Sequence, residues 1–131
     1  MTDLTTTDLT GADLTATVET YLAMWNEEDP SRRAEHITAA WTDDGRYTDP
    51  LQEAQGHAAL SEMVAGIHQQ LPGHRFARTS GIDVHHGELR FGWQLAAPDG
   101  TVAVAGVDVG AVADDGRLRR ITGFFGPLPE G

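Results

Sequence analysis

Two aspartates stand where a strand-like sequence does not ordinarily keep a charge. Asp49 lies in "GRYTDPLQ" (45–52), at the end of a short strand-like run and directly before Pro50. Asp108 lies in the middle of "VAVAGVDVGAV" (102–112), with only valine, alanine and glycine around it. A carboxylate taken out of water is costly unless it is paired or neutral, so each position needs a reason. An acid before proline is often a turn cap, and an acid in mid-strand can pair with an arginine on a neighbouring strand. Both readings stand beside the one in which these groups move protons.

Missing residue types narrow the chemistry. The chain has no cysteine, which excludes disulfides, thiolate nucleophiles and thiolate metal ligands. It has no lysine, which excludes a Schiff base and a Walker-type phosphate loop; all nine basic residues are arginines. Its serines, Ser31, Ser61 and Ser80, lie in no nucleophile-elbow pattern. Asp, Glu, His, Tyr and Arg remain, and their common trade is acid–base catalysis. A net charge of −11 without a basic run excludes nucleic acid and anionic membranes as partners. No signal peptide and no apolar run of membrane length are visible, so the expected location is cytoplasmic.

The histidines do not make a metal site. His85 and His86 are adjacent in a turn or strand, where neighbouring side chains point apart. His57 and His68 are too far apart along one helix to chelate. No metal and no cofactor are expected.

The elements that must position the acids can be read from periodicity. Residues 1–12 are threonine-rich, repeat "DLT" and lack an apolar face, which predicts a flexible arm before one domain over 13–131. Leu14, Val18, Tyr21, Leu22 and Trp25 form the apolar stripe of a first helix. Tyr21 is on that stripe, where a core aromatic is the simplest reading. Pro30 ends the helix and Ser31 is a candidate cap for a second, running to about Trp41. "TDDG" reads as a turn and "RYTDP" as a short strand. Leu60, Met63, Val64, Ile67 and Leu71 mark a third helix stopped by Pro72 and Gly73.

The period then changes to two. "HRFARTSGIDV", "ELRFGWQLA", "VAVAGVDVGAV" and "LRRITGFF" are strand candidates separated by "HHG", "PDG" and "DDG" turns. Three helices followed by an antiparallel meander predict an α+β fold, a curved antiparallel sheet wrapped around the N-terminal helices. Leu89, Phe91, Trp93 and Leu95 share one strand face; Ile121, Gly123 and Phe125 share another. Gly106 and Gly110 flank Asp108 on its own face, which predicts open space beside the acid. The opposite face of that strand (Ala103, Ala105, Val107, Val109, Ala111) is also apolar, and a second subunit is the expected cover.

The order of elements, with "YTDP" and "VDVGAVADDGRLRRITGFF", resembles the nuclear-transport-factor-2-like superfamily over roughly residues 13 to 126. Within it the chain is similar to SnoaL-like polyketide cyclases and ketosteroid isomerases. The resemblance implies a cone-shaped α+β barrel with an apolar mouth for a small ligand, often dimeric through the outer sheet face. It also implies a site. The tyrosine of the family's first helix, in a pattern similar to "TYLAMWNEED", falls on Tyr21; the proton-shuttling aspartate falls on Asp49; the second oxyanion donor falls on Asp108. In ketosteroid isomerases the aspartate takes a proton beside a carbonyl, and a tyrosine and a protonated aspartic acid hold the resulting oxyanion. Trp25, Met63, Phe91, Trp93, Leu95, Ile121 and Phe125 would line the cavity.

The sequence departs from that pattern. Trp41 and Val64 stand where some isomerases keep supporting tyrosines, and Gly106 and Gly110 replace bulkier wall residues, which implies a wider cavity and a substrate other than a steroid. Two alternatives accompany the isomerase or cyclase reading. One is a binding or dimerisation module without chemistry. The other is an epoxide hydrolase or dehydratase, for which Arg75, Arg78 and Arg119 are the available arginines.

Overall fold

The computed structural model describes residues 9–131, so most of the expected N-terminal arm lies outside the described residues. Helix α1 (Gly11–Asn26) begins three residues before Leu14, the first residue of the apolar stripe, because Thr10 caps it with Asp13. The Asp13 amide donates to Thr10 Oγ1 at 3.1 Å and the Thr10 amide donates to Asp13 Oδ2 at 2.8 Å, a reciprocal capping box. The helix buries Leu14, Val18, Tyr21, Leu22, Met24 and Trp25.

Helix α2 (Pro30–Ala40) is capped by Asp29 rather than Ser31, and Pro30 opens it. Proline lacks only an amide hydrogen that the first turn cannot use, and its φ is already helical. Helix α3 (His57–Gln70) buries Leu60 and Val64.

Seven strands form one mixed sheet: β1 (Trp41–Thr48), β2 (Glu53–Gln55), β3 (Arg75–Arg78), β4 (Asp83–His85), β5 (Glu88–Ala96), β6 (Val102–Val112) and β7 (Leu118–Phe125). Their order is β2-β1-β7-β6-β5-β3, with β4 also on β5, so the curved sheet stays unclosed. All pairs are antiparallel except β1 with β7, which run parallel. Where the sequence predicts a turn at "TDDG", β1 continues as a bulge: its register on β7 jumps from Trp41↔Leu118 to Arg46↔Arg120. The predicted strand "HRFARTSGIDV" is broken at residues 79–82 into β3 and β4, and β2 is too short to show an alternating pattern. Among the described residues no helix is long and apolar enough to cross a membrane.

The core lies between the helices and the concave sheet face. Leu89, Phe91, Trp93 and Leu95 turn inward as their alternation predicts, each no more than 5% exposed. They meet Tyr21 and Trp25 from the helical side, and Tyr21 packs edge-on against Trp25, Phe91 and Trp41 of β1.

Candidate active site

The sheet register brings the two aspartates onto neighbouring rows. Asp108 on β6 pairs with Gly123 on β7, and Thr48 on β1 pairs with Thr122, so Asp49 follows beside Gly123. Gly123 thus stands between the two acids. A Cβ added there would lie 3.0 Å from Asp108 Oδ1, 3.1 Å from the Tyr47 hydroxyl oxygen and 3.4 Å from Asp49 Cβ. The missing side chain is what leaves room between the acids.

That room is not made by the glycines flanking Asp108 in sequence. A Cβ on Gly106 would strike the Phe124 carbonyl oxygen and the Trp93 ring, and one on Gly110 would strike the Arg120 carbonyl oxygen and Ile121. Those two glycines admit close packing instead of opening a pocket, which corrects the expectation of a wide cavity.

Asp49 is half-buried and does two jobs at once. Its Oδ1 accepts from the backbone amides of Leu51 at 2.8 Å and Gln52 at 3.0 Å, capping the turn that Pro50 enters. Its Oδ2 accepts from the Tyr47 hydroxyl at 2.7 Å. Asp108 is 3% exposed and has no arginine partner among the described residues; Tyr21 donates to its Oδ2 at 2.8 Å.

Burial acts most strongly on Asp108 and the two phenols. Burial drives the Asp108 carboxyl up to about 7, against the opposing hydrogen bond from Tyr21 and the nearby Trp93 indole, and with a smaller push from Asp49. Burial also holds the Tyr21 phenol far above its ordinary range, aided by the charge of Asp108 and by Tyr47. Tyr47 is raised likewise, first by burial, then by Asp108 and its bond to Asp49. Both phenols therefore remain donors at any physiological pH.

Two adjoining spaces meet at these groups. An outer cavity of about 100 Å³ is bounded by Asp49 and Tyr47 with Trp25, Phe76, Leu95 and Phe125 among its apolar walls. An inner one of about 10 Å³ is bounded by Tyr21, Asp108, Tyr47 and Trp93 with Leu22, Trp25 and Phe76. Trp25, Tyr47, Phe76 and Trp93 belong to both, so the pair Tyr21–Asp108 and the acid Asp49 lie on either side of one aromatic constriction.

Of the residues expected to line the cavity, Trp25, Trp93, Leu95 and Phe125 do so. Phe91 and Ile121 are packed in the core, and half-buried Met63 packs against its edge; none of the three bounds either space. Tyr47 and Gly123 were not anticipated from the sequence. Tyr47 lies in β1 two residues before Asp49, which directly follows the strand's last residue, and in extended chain that spacing puts their side chains on a common face.

A larger open groove of about 490 Å³ lies between α1 and β3. Arg78 pairs there with Glu19 at 2.8 Å, and the His36 ring approaches Glu27 at 3.5 Å. The groove holds neither aspartate, so the smaller apolar space is the better candidate. Arg75 and Arg78 line that groove, and Arg119 is exposed on β7. Among the described residues no group of three metal-ligating side chains converges.

Known proteins share this arrangement of elements. Residues 18–121 match the family described as the SnoaL-like domain. A presumed isomerase of the SnoaL-like family from Agrobacterium tumefaciens strain C58 is 36% identical, with 87% of this chain and 97% of that one covered and a TM-score of 0.81. A presumed SnoaL-like polyketide cyclase from Jannaschia sp. CCS1 is 16% identical over 95% of this chain and 91% of that one, TM-score 0.63. TerC, crystallised with polyporic acid, is 21% identical over 84% and 91%, TM-score 0.62. The last two share the fold alone. No curated protein matches the sequence.

Proposed function

Because the chain belongs to the SnoaL-like domain family, we propose that it is an acid–base enzyme, an isomerase or cyclase, acting on a small, largely apolar carbonyl compound. The observation that carries this reading is the pair of carboxyls on either side of one aromatic constriction: Asp49 at the outer cavity, its Oδ1 held by the turn amides, and Asp108, buried with its pKa raised to about 7, at the inner one. A carboxyl that burial keeps protonated can donate a hydrogen bond to a developing oxyanion.

In this mechanism the substrate's ring or chain lies in the outer cavity, and its carbonyl oxygen points past Tyr47 toward Asp108. Asp49 Oδ2 takes the proton from the carbon beside the carbonyl, while Oδ1 stays fixed by the turn amides. Negative charge gathers on the carbonyl oxygen and is met by the neutral Asp108 carboxyl, which Tyr21 orients through Oδ2. An isomerase returns the proton from Asp49 to another carbon; a cyclase spends the enolate on a second carbonyl in the same molecule.

Deuterium uptake beside the carbonyl tests the proton step without knowledge of the natural substrate. Cyclohexenone or cyclopentenone in D2O, followed by proton NMR, should exchange faster with the protein than without it. Asp49→Asn should lower that acceleration by roughly 100- to 10,000-fold. Gly123→Ala should lower it too, since its Cβ enters the space between the acids. Acceleration that survives Asp49→Asn intact would exclude Asp49 as the base.

A further inference from the structure

Two buried polar atoms at the inner space have no hydrogen-bond partner among the described residues: Nε1 of Trp93 and Oδ1 of Asp108. Both residues bound that space, which is about 10 Å³, room for a single oxygen atom. Trp93 is 4% exposed and Asp108 is 3% exposed, so bulk water does not serve either atom. An unmet buried donor or acceptor carries a penalty, and two of them on one small space point to an occupant.

The hydrogens that could serve the occupant can be counted. The Tyr21 hydroxyl hydrogen is directed to Asp108 Oδ2, and the Tyr47 hydroxyl hydrogen to Asp49 Oδ2. Neither phenol is left to donate into the space. The Trp93 indole N–H, near enough to Asp108 to favour its anion, still has no acceptor at full hydrogen-bond geometry among the described residues, and neither has Asp108 Oδ1 a donor; Oδ1 can carry a hydrogen when the carboxyl is neutral. The rings of Phe76 and Phe125 pack against Trp93 at 5.8 and 5.7 Å between centroids and fix the indole in place.

We infer that the inner space is a niche for one oxygen atom, whose direct donors are the Trp93 indole N–H and the Asp108 carboxyl, with Tyr21 behind Asp108 as a positioning residue. Its ligand class is a carbonyl, enol or phenol on a molecule no wider than one ring at that point. This rests on the acid–base reading and sharpens it. Trp93 changes from an apolar wall to a group that touches the reacting oxygen, and Tyr21 acts through Asp108.

The probe is 4-nitrophenol, a single ring with one acidic oxygen, and its control is 4-nitrotoluene, which has a methyl group in place of that oxygen. Affinities are measured at pH 6 for the wild type, Trp93→Phe, Asp108→Asn and Tyr21→Phe. Trp93→Phe should bind 4-nitrophenol roughly 10- to 100-fold more weakly, the cost of leaving a buried oxygen without its donor, and 4-nitrotoluene as before. Tyr21→Phe should lose a few-fold at most. It should also keep binding to a higher pH than the wild type, because removing its donor disfavours ionised Asp108. In the wild-type protein, independently of any variant, the Trp93 indole proton should move downfield in a proton–nitrogen NMR spectrum as 4-nitrophenol is added.

A Trp93→Phe variant that binds 4-nitrophenol as tightly as the wild type, together with a Trp93 indole signal that does not move in the wild type, overturns the niche. If Asp108→Asn is then still weakened, the acid–base reading survives that result. If the wild type binds 4-nitrophenol no better than 4-nitrotoluene, and Asp108→Asn changes nothing, both fall together.

Discussion

Asp108 is the residue on which the site's pH behaviour turns. Its carboxyl keeps a proton to about pH 7 in the fold, against an ordinary 3.8, because burial penalises the anion more than Tyr21 and Trp93 favour it. Between those two values the native state binds more protons than the unfolded chain, so stability falls as pH rises. The contribution is whole below about pH 4 and lost by the time the folded group has ionised. Its size is on the order of 4 kcal/mol. Asp108→Asn keeps an acceptor for Tyr21 without titrating, so the difference between wild type and variant isolates this term from the other carboxylates. Urea unfolding at pH 4.5 and pH 8.5 should show the variant gaining about 3 kcal/mol on the wild type at the higher pH. A difference that is the same at both values would mean that Asp108 is ionised throughout.

At the scale of elements, the hardest-worked side chain outside the site is Arg33 on α2, 3% exposed and without a carboxylate partner among the described residues. Its guanidinium donates to the carbonyl oxygens of Glu27 at 3.1 Å, Glu28 at 3.0 Å and Ser61 at 3.2 Å. It therefore ties the α1–α2 connection to α3, over carbonyls that would otherwise lose their donors. Arg33→Ala should cost about 3 kcal/mol in urea unfolding; a loss below about 1 kcal/mol would show the three carbonyls finding other donors. Nothing in the sequence marks Arg33, since its neighbour Arg32 is identical in type and exposed. The helices and the inward faces of β5 and β7 were legible, because burial writes its period directly into the sequence. Pairings between distant strands leave no such trace. The parallel match of β1 to β7, which sets Gly123 between Asp49 and Asp108, is of that kind. So the two acids could be picked out individually and Tyr47 lay within reach of the local spacing, while the aromatic constriction needed the register.

At the scale of the whole molecule, the convex face of the sheet is the feature the monomer leaves unexplained. Phe124 is 58% exposed and Val107 39% exposed, and they are direct partners across β6 and β7. The charges around them are matched within the face: Arg46 with Glu53, Arg90 with Asp83, and Arg120 with Glu88, at 2.8, 2.8 and 3.0 Å. These six charges cancel, although the chain as a whole carries −11. Two copies of so acidic a protein would repel through most of their surface, and this face is one where that repulsion is locally quenched around an apolar centre. A second copy of the chain is accordingly the expected occupant, related by a two-fold axis that sets the same patch against itself. Sedimentation at increasing concentration should report a dimer for the wild type. Phe124→Glu should shift it to monomer, because each interface would then bury two like charges without partners. The outer cavity opens on the other side of the sheet, so cyclohexenone exchange by the Phe124→Glu monomer should match that of the dimer. A wild type that sediments as a monomer at about 100 times the assay concentration would remove the dimer and leave the site untouched.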